Sequence, residues 1–195
     1  RVRALAAAHA QAAPADLLEV VLHDTFAGPK LAALRNPNCD PAALDLACGD
    51  PDLVLIAARN RSCSPDALVT ALATMSVEDG PARRRPRLPG AEDHRSPDVL
   101  RVVRDVRKRL ARRSWAWLAE RDLTALHPAD LVVLIGSRWA EAALDPRERI
   151  RAMVALMPET TADVLMMLAR DPSEQVRQIV TQRILEAAGG DRTRS

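Results

Sequence analysis

The chain has 195 residues and a formal net charge of +2, and 48% of its residues are hydrophobic while only 2% are aromatic. This length and apolar content allow one domain or two small ones, and the abundance of Ala, Leu, Arg and acidic residues is typical of a helical protein. Apolar runs such as residues 131–135 are far too short to span a bilayer, and three cysteines without a C-x-x-C pair argue against a disulfide framework, so a cytoplasmic protein is expected.

Proline marks most of the predicted helix starts, because it is favoured at the first helical position, directly after an N-cap residue. Six Asp-Pro or Ser-Pro steps fit this arrangement: Asp40-Pro41, Asp50-Pro51, Ser64-Pro65, Ser96-Pro97, Asp145-Pro146 and Asp171-Pro172. Ala13-Pro14 and His127-Pro128 are weaker versions, and Glu148 and Glu174 complete capping boxes. Apolar residues at i, i+3 and i+4 follow these starts. The sequence therefore predicts an all-α fold of many short helices, with residues 131–135 as a buried helix segment.

A segment of the first helical block repeats. Residues 35–44 align without a gap with residues 59–68, at an offset of 24 residues, and residues 156–165 echo the same segment at an offset of 121. A fixed period in this range is typical of stacked repeat proteins, in which neighbouring units bury a shared core. Leu44, Leu68 and Leu165 are then expected at equivalent core positions.

The repeat resembles a known family in the residues that carry it, Asn36-Pro37-Asn38-Cys39-Asp40-Pro41-Ala42-Ala43-Leu44 and the following Asp50-Pro51 step. These residues and their period resemble the variant leucine-rich repeat (LRV), which is related in style to HEAT repeats. The resemblance implies a right-handed α-solenoid of alternating longer and shorter helices. Members of that family can carry an N-terminal iron–sulfur segment rich in cysteine. No cysteine precedes Cys39 in this chain, so that cofactor is not expected.

Composition divides the chain into four predicted parts. A helical repeat block (residues 1–75) is followed by a flexible Pro/Arg-rich loop (76–96), which interrupts the solenoid. A second helical block (97–188) continues the solenoid, and the tail (189–195) is expected to be disordered.

Charge is concentrated in one region. Residues 81–121 hold 13 Lys/Arg against 5 Asp/Glu, whereas the rest of the chain is net acidic. A helix is predicted from Ser96-Pro97 to about Glu120, with Val99, Val103, Val106, Leu110 and Trp117 as its apolar stripe. The candidate binding residues, for nucleic acid or another partner, are Arg83, Arg84, Arg85, Arg101, Arg104, Lys108, Arg112 and Trp115. The alternative is a solvated helix face that the acidic remainder of the chain neutralises.

Metal and catalytic chemistry have little support in the sequence. Cys39 and Cys63 occupy the same repeat position, and Cys48 would be a third thiolate, but structural zinc usually needs four ligands. Thr160 takes the cysteine position in the late copy, which favours a plain packing role. The four histidines are scattered without helical metal-site spacing: His9, His23, His94 and His127. No metal, cofactor or catalytic residue is therefore expected.

Three functions remain as hypotheses. The first is a non-enzymatic helical-repeat scaffold that binds a partner protein. The alternative is a nucleic-acid-binding repeat protein that uses the basic region 83–113. The third, a HEAT-like DNA glycosylase, rests on analogy at the level of the fold alone.

Overall fold

The structure is a computed structural model that describes the backbone of residues 2–77, 97–126 and 128–190. All regular secondary structure in these residues is helical, which confirms the all-α class. Helix α6 extends to Val77 and helix α13 to Gly190. The rest of the predicted loop (76–96) and the rest of the predicted tail (189–195) lie outside the described residues. No helix in the described ranges is both long and apolar enough to cross a membrane.

The described helices fall into two compact units. The first unit contains α1 (Val2–Ala8), α2 (Pro14–His23), α3 (Ala27–Arg35), α4 (Pro41–Cys48), α5 (Val54–Arg59), α6 (Pro65–Val77) and α7 (Pro97–Ala111). The second contains α8 (Trp115–Ala119), α9 (Pro128–Ile135), α10 (Trp139–Ala142), α11 (Glu148–Leu156), α12 (Ala162–Leu168) and α13 (Glu174–Gly190).

In the first unit each helix packs against its second neighbour along the chain as well as against adjacent helices. Helix α1 contacts α3, α3 contacts α5 and α5 contacts α7, while α2 contacts α4 and α4 contacts α6. Leu34, Leu44, Leu72 and Leu110 are fully buried between them. Packing thus groups α7 with the helices that precede it, although the change in composition at residue 96 separates them in the sequence.

In the second unit α11 contacts α10, α12 and α13, and α12 also contacts α13. Its fully buried side chains include Leu131, Leu134 and Ile135 of α9, so the predicted buried helix segment is confirmed at these positions, whereas Val133 is exposed. Leu165, predicted as a core position equivalent to the buried Leu44 and Leu68, is only half-buried. That prediction is wrong because the neighbouring Val164 and Leu168 face the core of this unit instead.

Local capping chemistry accounts for the helix starts. Asp40 Oδ1 accepts a hydrogen bond from Ala42 N at 2.8 Å, and Ser64 Oγ accepts one from Ala67 N at 3.0 Å. Helices α4 and α6 begin at the following prolines, as predicted.

The starts predicted at Pro51, Pro146 and Pro172 are wrong by two or three residues, since the helices begin at Val54, Glu148 and Glu174. The preceding aspartates each accept a hydrogen bond from the amide two residues later. These bonds form turns that leave each proline just outside its helix.

The predicted helix from residue 96 to about 120 is two helices. Helix α7 ends at Ala111, and Ser114 Oγ accepts a hydrogen bond from Trp117 N at 3.3 Å as the N-cap of α8. The sequence carries this signal, because serine competes for local backbone groups and favours helix starts over helix interiors. The basic residues before Ser114 continue the pattern of α7 up to Arg113, so the predicted helix extended past this serine.

A series of hydrogen bonds repeats with the sequence repeat. Asn60 Nδ2 donates to the carbonyl oxygens of Leu34 and Asn36 at 2.8 and 2.9 Å. Asn36 Nδ2 makes the same pair of bonds to Ala7 and His9, at 2.9 and 2.8 Å. Both carboxamides are buried and satisfy carbonyls at the end of the preceding helix of their layer. We call Asn36 and Asn60 the cross-repeat asparagines.

In the late copy of the repeat (residues 156–165), an arginine satisfies the carbonyl oxygens at the helix end. Arg183 donates to the carbonyl oxygens of Ala155 and Pro158 at 2.9 and 2.8 Å. These two residues lie 121 positions after Leu34 and Pro37. The carbonyls at the end of α11 are thus satisfied by a side chain of α13, as those of α3 are satisfied from the next repeat.

Candidate functional site

Helix α7 separates an apolar face from a basic face. Val102, Val106 and Leu110 form the apolar face and are buried where α7 packs against the other helices of the first unit. The opposite face exposes four of the predicted site residues: Arg101, Arg104, Lys108 and Arg112. The predicted apolar stripe is therefore partly wrong. Val102, which was not predicted, is buried, while the predicted Val99 and Val103 are only half-buried.

The exposed face of α7 forms one wall of a groove of about 360 Å³, and the second wall comes from the end of α5 and the turn that follows it. We call this the basic groove, and its lining residues are Ala58, Arg59, Arg61, Arg101, Val102, Asp105, Lys108, Arg109 and Arg112. Arg104 is exposed on the same helix but does not line the groove. Six cationic side chains and one carboxylate therefore share a single depression.

Two of the exposed cations of the groove make weak ion pairs with Asp98. The Arg59 guanidinium lies 3.7 Å from an Asp98 carboxylate oxygen, and the Arg101 guanidinium lies 3.8 Å from the same oxygen. The Arg59, Arg101 and Asp98 side chains are 47%, 70% and 69% exposed. Ion pairs this exposed contribute little to stability, so an anionic ligand can compete for both arginines.

Arg109 has a different role from the other groove cations. Its Nη1 donates to the carbonyl oxygens of Ala58 and Asn60 at 3.1 and 3.2 Å, and its Nη2 donates to that of Cys63 at 3.0 Å. Ala58 and Asn60 lie 24 residues after Leu34 and Asn36, so Arg109 repeats the bonding pattern of the cross-repeat asparagines. This side chain holds α7 against the end of α5 and fixes the two walls of the groove.

Replacement of Arg109 by alanine is expected to lower the free energy of unfolding by about 2 kcal/mol, because several backbone carbonyls lose a charged donor. Chemical denaturation followed by circular dichroism measures this change. The matched Lys108→Ala variant removes an exposed neighbouring cation and should change stability by less than about 0.5 kcal/mol. Equal stability losses in the two variants would contradict a structural role for Arg109.

Of the four remaining predicted site residues, Trp115 alone lies in the part of the chain that the structure describes. Arg83, Arg84 and Arg85 lie outside the described residues. Trp115, named among the candidate binding residues, is 4% exposed and lies in the core of the second unit, so its ring is not available to a ligand. Trp115 is the first residue of α8 and is buried with Leu118, whereas Trp117 is half-exposed with the Arg113 guanidinium 5.9 Å from its ring centre.

Two groove cations, Arg59 and Arg61, lie outside the predicted basic region 83–113. They lie more than 35 residues before α7 in the sequence, and only the packing of α5 on α7 brings them to the groove. A signal was available in the first copy of the repeat, where Pro37 occupies the position of Arg61. The arginine is thus an addition to the repeat that the repeat itself does not require.

Two of the three cysteines lie close together. Cys48 and Cys63 bring their Sγ atoms to 3.6 Å, while Cys39, which shares the repeat position of Cys63, is buried elsewhere. Burial and the neighbouring Asp40 raise the pKa of Cys39 to about 11. Within the described residues, no group of three or more His, Cys, Asp or Glu side chains is arranged to hold a metal ion.

Comparisons with protein-family models, curated proteins and solved structures find no match to this chain. The function of the chain is therefore inferred from its own residues and their geometry.

Proposed function

We propose that the chain is an α-solenoid similar to the variant leucine-rich and HEAT-like repeats. Two observations support this interpretation. Helices of the first unit contact their second neighbours in two parallel series, as stacked repeats do. The cross-repeat asparagines and Arg109 then satisfy equivalent carbonyls in successive repeats. Stacked repeats offer an extended surface, which is the usual basis of their function.

We further propose that this solenoid is a non-enzymatic scaffold that binds a partner protein at the basic groove. The observation that carries the proposal is the convergence of five exposed cations on one depression: Arg59, Arg61, Arg101, Lys108 and Arg112. An acidic segment of a partner protein would pair with these side chains. Asp98 and Asp105 lie among them and would accept hydrogen bonds from peptide amides or from lysines of the partner. This mixture of charges suits a protein surface better than a continuous phosphate backbone.

Nucleic acid is the second candidate ligand, because the same cations would contact phosphates. None of the described residues that line the groove is aromatic, so base stacking does not favour a single strand. If nucleic acid is the ligand, the groove is therefore best suited to contact the phosphate backbone of a duplex without reading its sequence. No feature of the groove supports the third hypothesis, a DNA glycosylase, which still rests on analogy at the level of the fold alone.

The groove proposal predicts that a double charge reversal, Arg101→Glu with Lys108→Glu, abolishes ligand capture. Each substitution places a carboxylate on an exposed position of the groove wall, so binding of an anionic ligand should fall at least about tenfold. The measurement is a pull-down from native lysate, with and without nuclease, using the full chain as bait. Capture that survives nuclease but not the charge reversal supports the protein scaffold.

The matched control is Arg35→Glu with Arg170→Glu, which makes the same change in net charge at exposed positions outside the groove. Loss of capture in this control would show that net charge, and not the groove, attracts the ligand. Capture that depends on nucleic acid, followed by a steep fall of duplex DNA affinity with added salt, would favour the second candidate. Partners captured equally well by wild type and groove variant would refute the groove as the binding site.

A further inference from the structure

Two buried thiols meet beside the basic groove. Cys48 is the last residue of α4 and Cys63 precedes the Ser64 cap of α6, so the two residues come from the ends of different helices. Their Sγ atoms are 3.6 Å apart, and the residues are 0% and 4% exposed. No disulfide joins them in the structure. The sulfurs need to approach by only about 1.5 Å to reach the length of a disulfide bond.

The surroundings make the two thiols unequal. The hydrogen bond with Cys48 lowers the pKa of Cys63, and the Arg109 charge lowers it further, against the opposing effect of burial. The same hydrogen bond raises the pKa of Cys48. Cys63 is therefore the thiol that more readily supplies a thiolate, which is the reactive form, and Cys48 lies within reach as its resolving partner.

We propose that Cys48 and Cys63 form a redox-modification site, in which hydrogen peroxide oxidises the two thiols to a reversible disulfide. The Cys63 thiolate attacks one peroxide oxygen, the O–O bond breaks, and Cys63 becomes a sulfenic acid as hydroxide leaves. The Cys48 sulfur then attacks the Cys63 sulfur, the S–O bond breaks, and the oxygen leaves as water with the Cys48 proton. In total, two thiols and one peroxide give one disulfide and two waters.

The site is joined to the groove through the backbone. The chain between the two cysteines contains α5 and carries Arg59 and Arg61, two cations of the groove. Arg109 holds the carbonyl oxygens at both ends of this turn, on Ala58 and Cys63. Closure of the disulfide therefore tethers one wall of the groove. Any effect on ligand binding depends on the proposed function, whereas disulfide formation does not.

The test is peroxide treatment of the full chain followed by thiol counting under denaturing conditions. Three free thiols are present at the start, and the expected result is that one remains. The intact mass should fall by two hydrogens and return on reduction with dithiothreitol, and peptide mapping should link Cys48 to Cys63. If the disulfide forms but ligand capture does not change, the redox proposal is supported, and the result contradicts only a link between the disulfide and the basic groove.

Three variants make the assignment specific. Cys48→Ser and Cys63→Ser should each prevent the disulfide, and Cys39→Ser should leave it intact. Peptide mapping of the wild-type protein decides the matter even if a cysteine variant does not fold. Persistence of all three thiols, a bridge to Cys39, or oxygen addition without loss of thiol hydrogens would overturn the proposal.

Discussion

Asn60→Asp is expected to lower the free energy of unfolding on the order of 4 kcal/mol. Asn60 is 8% exposed, and its Nδ2 is the donor to the Leu34 and Asn36 carbonyl oxygens, while its Oδ1 accepts from Ser62 N. The substitution keeps the shape of the side chain but removes both donors. It also points a carboxylate oxygen at two carbonyl oxygens, so the repulsion adds to the loss of the hydrogen bonds. Chemical denaturation followed by circular dichroism measures the change.

The control for this prediction is Asn38→Asp, which changes the same atoms at an exposed position. Asn38 Nδ2 donates to the Ala10 carbonyl oxygen at 2.7 Å, but water replaces this bond when it is lost. The expected change in stability is below about 1 kcal/mol. A loss in Asn60→Asp as small as that in the control would contradict the role of the cross-repeat asparagines in joining successive repeats.

Local signals were the part of the fold that the sequence predicted well. The caps at Asp40 and Ser64 depend on neighbours in the chain, so residue type and spacing reveal them. The cross-repeat bonds show why the repeated asparagine is there: each repeat must satisfy carbonyls of the one before it. The helix starts predicted at Pro146 and Pro172 were wrong because an Asp-Pro step is as compatible with a turn as with a helix cap. In such a turn the aspartate accepts a hydrogen bond from the backbone amide two residues later.

The groove was only half predictable because it depends on contacts between distant residues. The exposed cations of α7 follow from helical spacing around a buried Val106 and Leu110. Arg109 differs from its neighbours only because α7 packs on the end of α5, and no pattern within α7 distinguishes it. The cysteines show the same limit, since Cys48 and Cys63 occupy different positions in the repeat and only packing brings their sulfur atoms together.

Asp171→Ala is expected to lower the free energy of unfolding by about 3 kcal/mol, because it leaves Arg151 buried without its carboxylate. Arg151 Nε and Nη2 donate to the two Asp171 carboxylate oxygens at 2.7 and 3.0 Å, and the side chains are 11% and 3% exposed. We expect the lower end of the range for broken buried pairs, because Arg151 Nη1 keeps its bonds to the Asp145 and Pro146 carbonyl oxygens. Chemical denaturation at neutral pH measures the change.

The matched variant Asp50→Ala separates the ion pair from the turn. Asp50 stands 121 residues before Asp171 and likewise accepts a hydrogen bond from the amide two residues on, at 2.8 Å in both places. The loss of that bond alone should cost about 1 kcal/mol, and an equal loss in both variants would show that the ion pair contributes nothing.

Acid titration provides a second test of the same ion pair. The hydrogen bonds from Arg151 hold the pKa of Asp171 below its ordinary value of 3.8. The folded state therefore binds a proton at this carboxyl less readily than the unfolded state does. The stability that the charged form contributes is fully present above pH 3.8 and is lost as the pH falls through the lower folded-state pKa. The difference between wild type and Asp171→Ala should shrink over that interval, and a difference that stays constant on acidification would assign it to packing and not to charge.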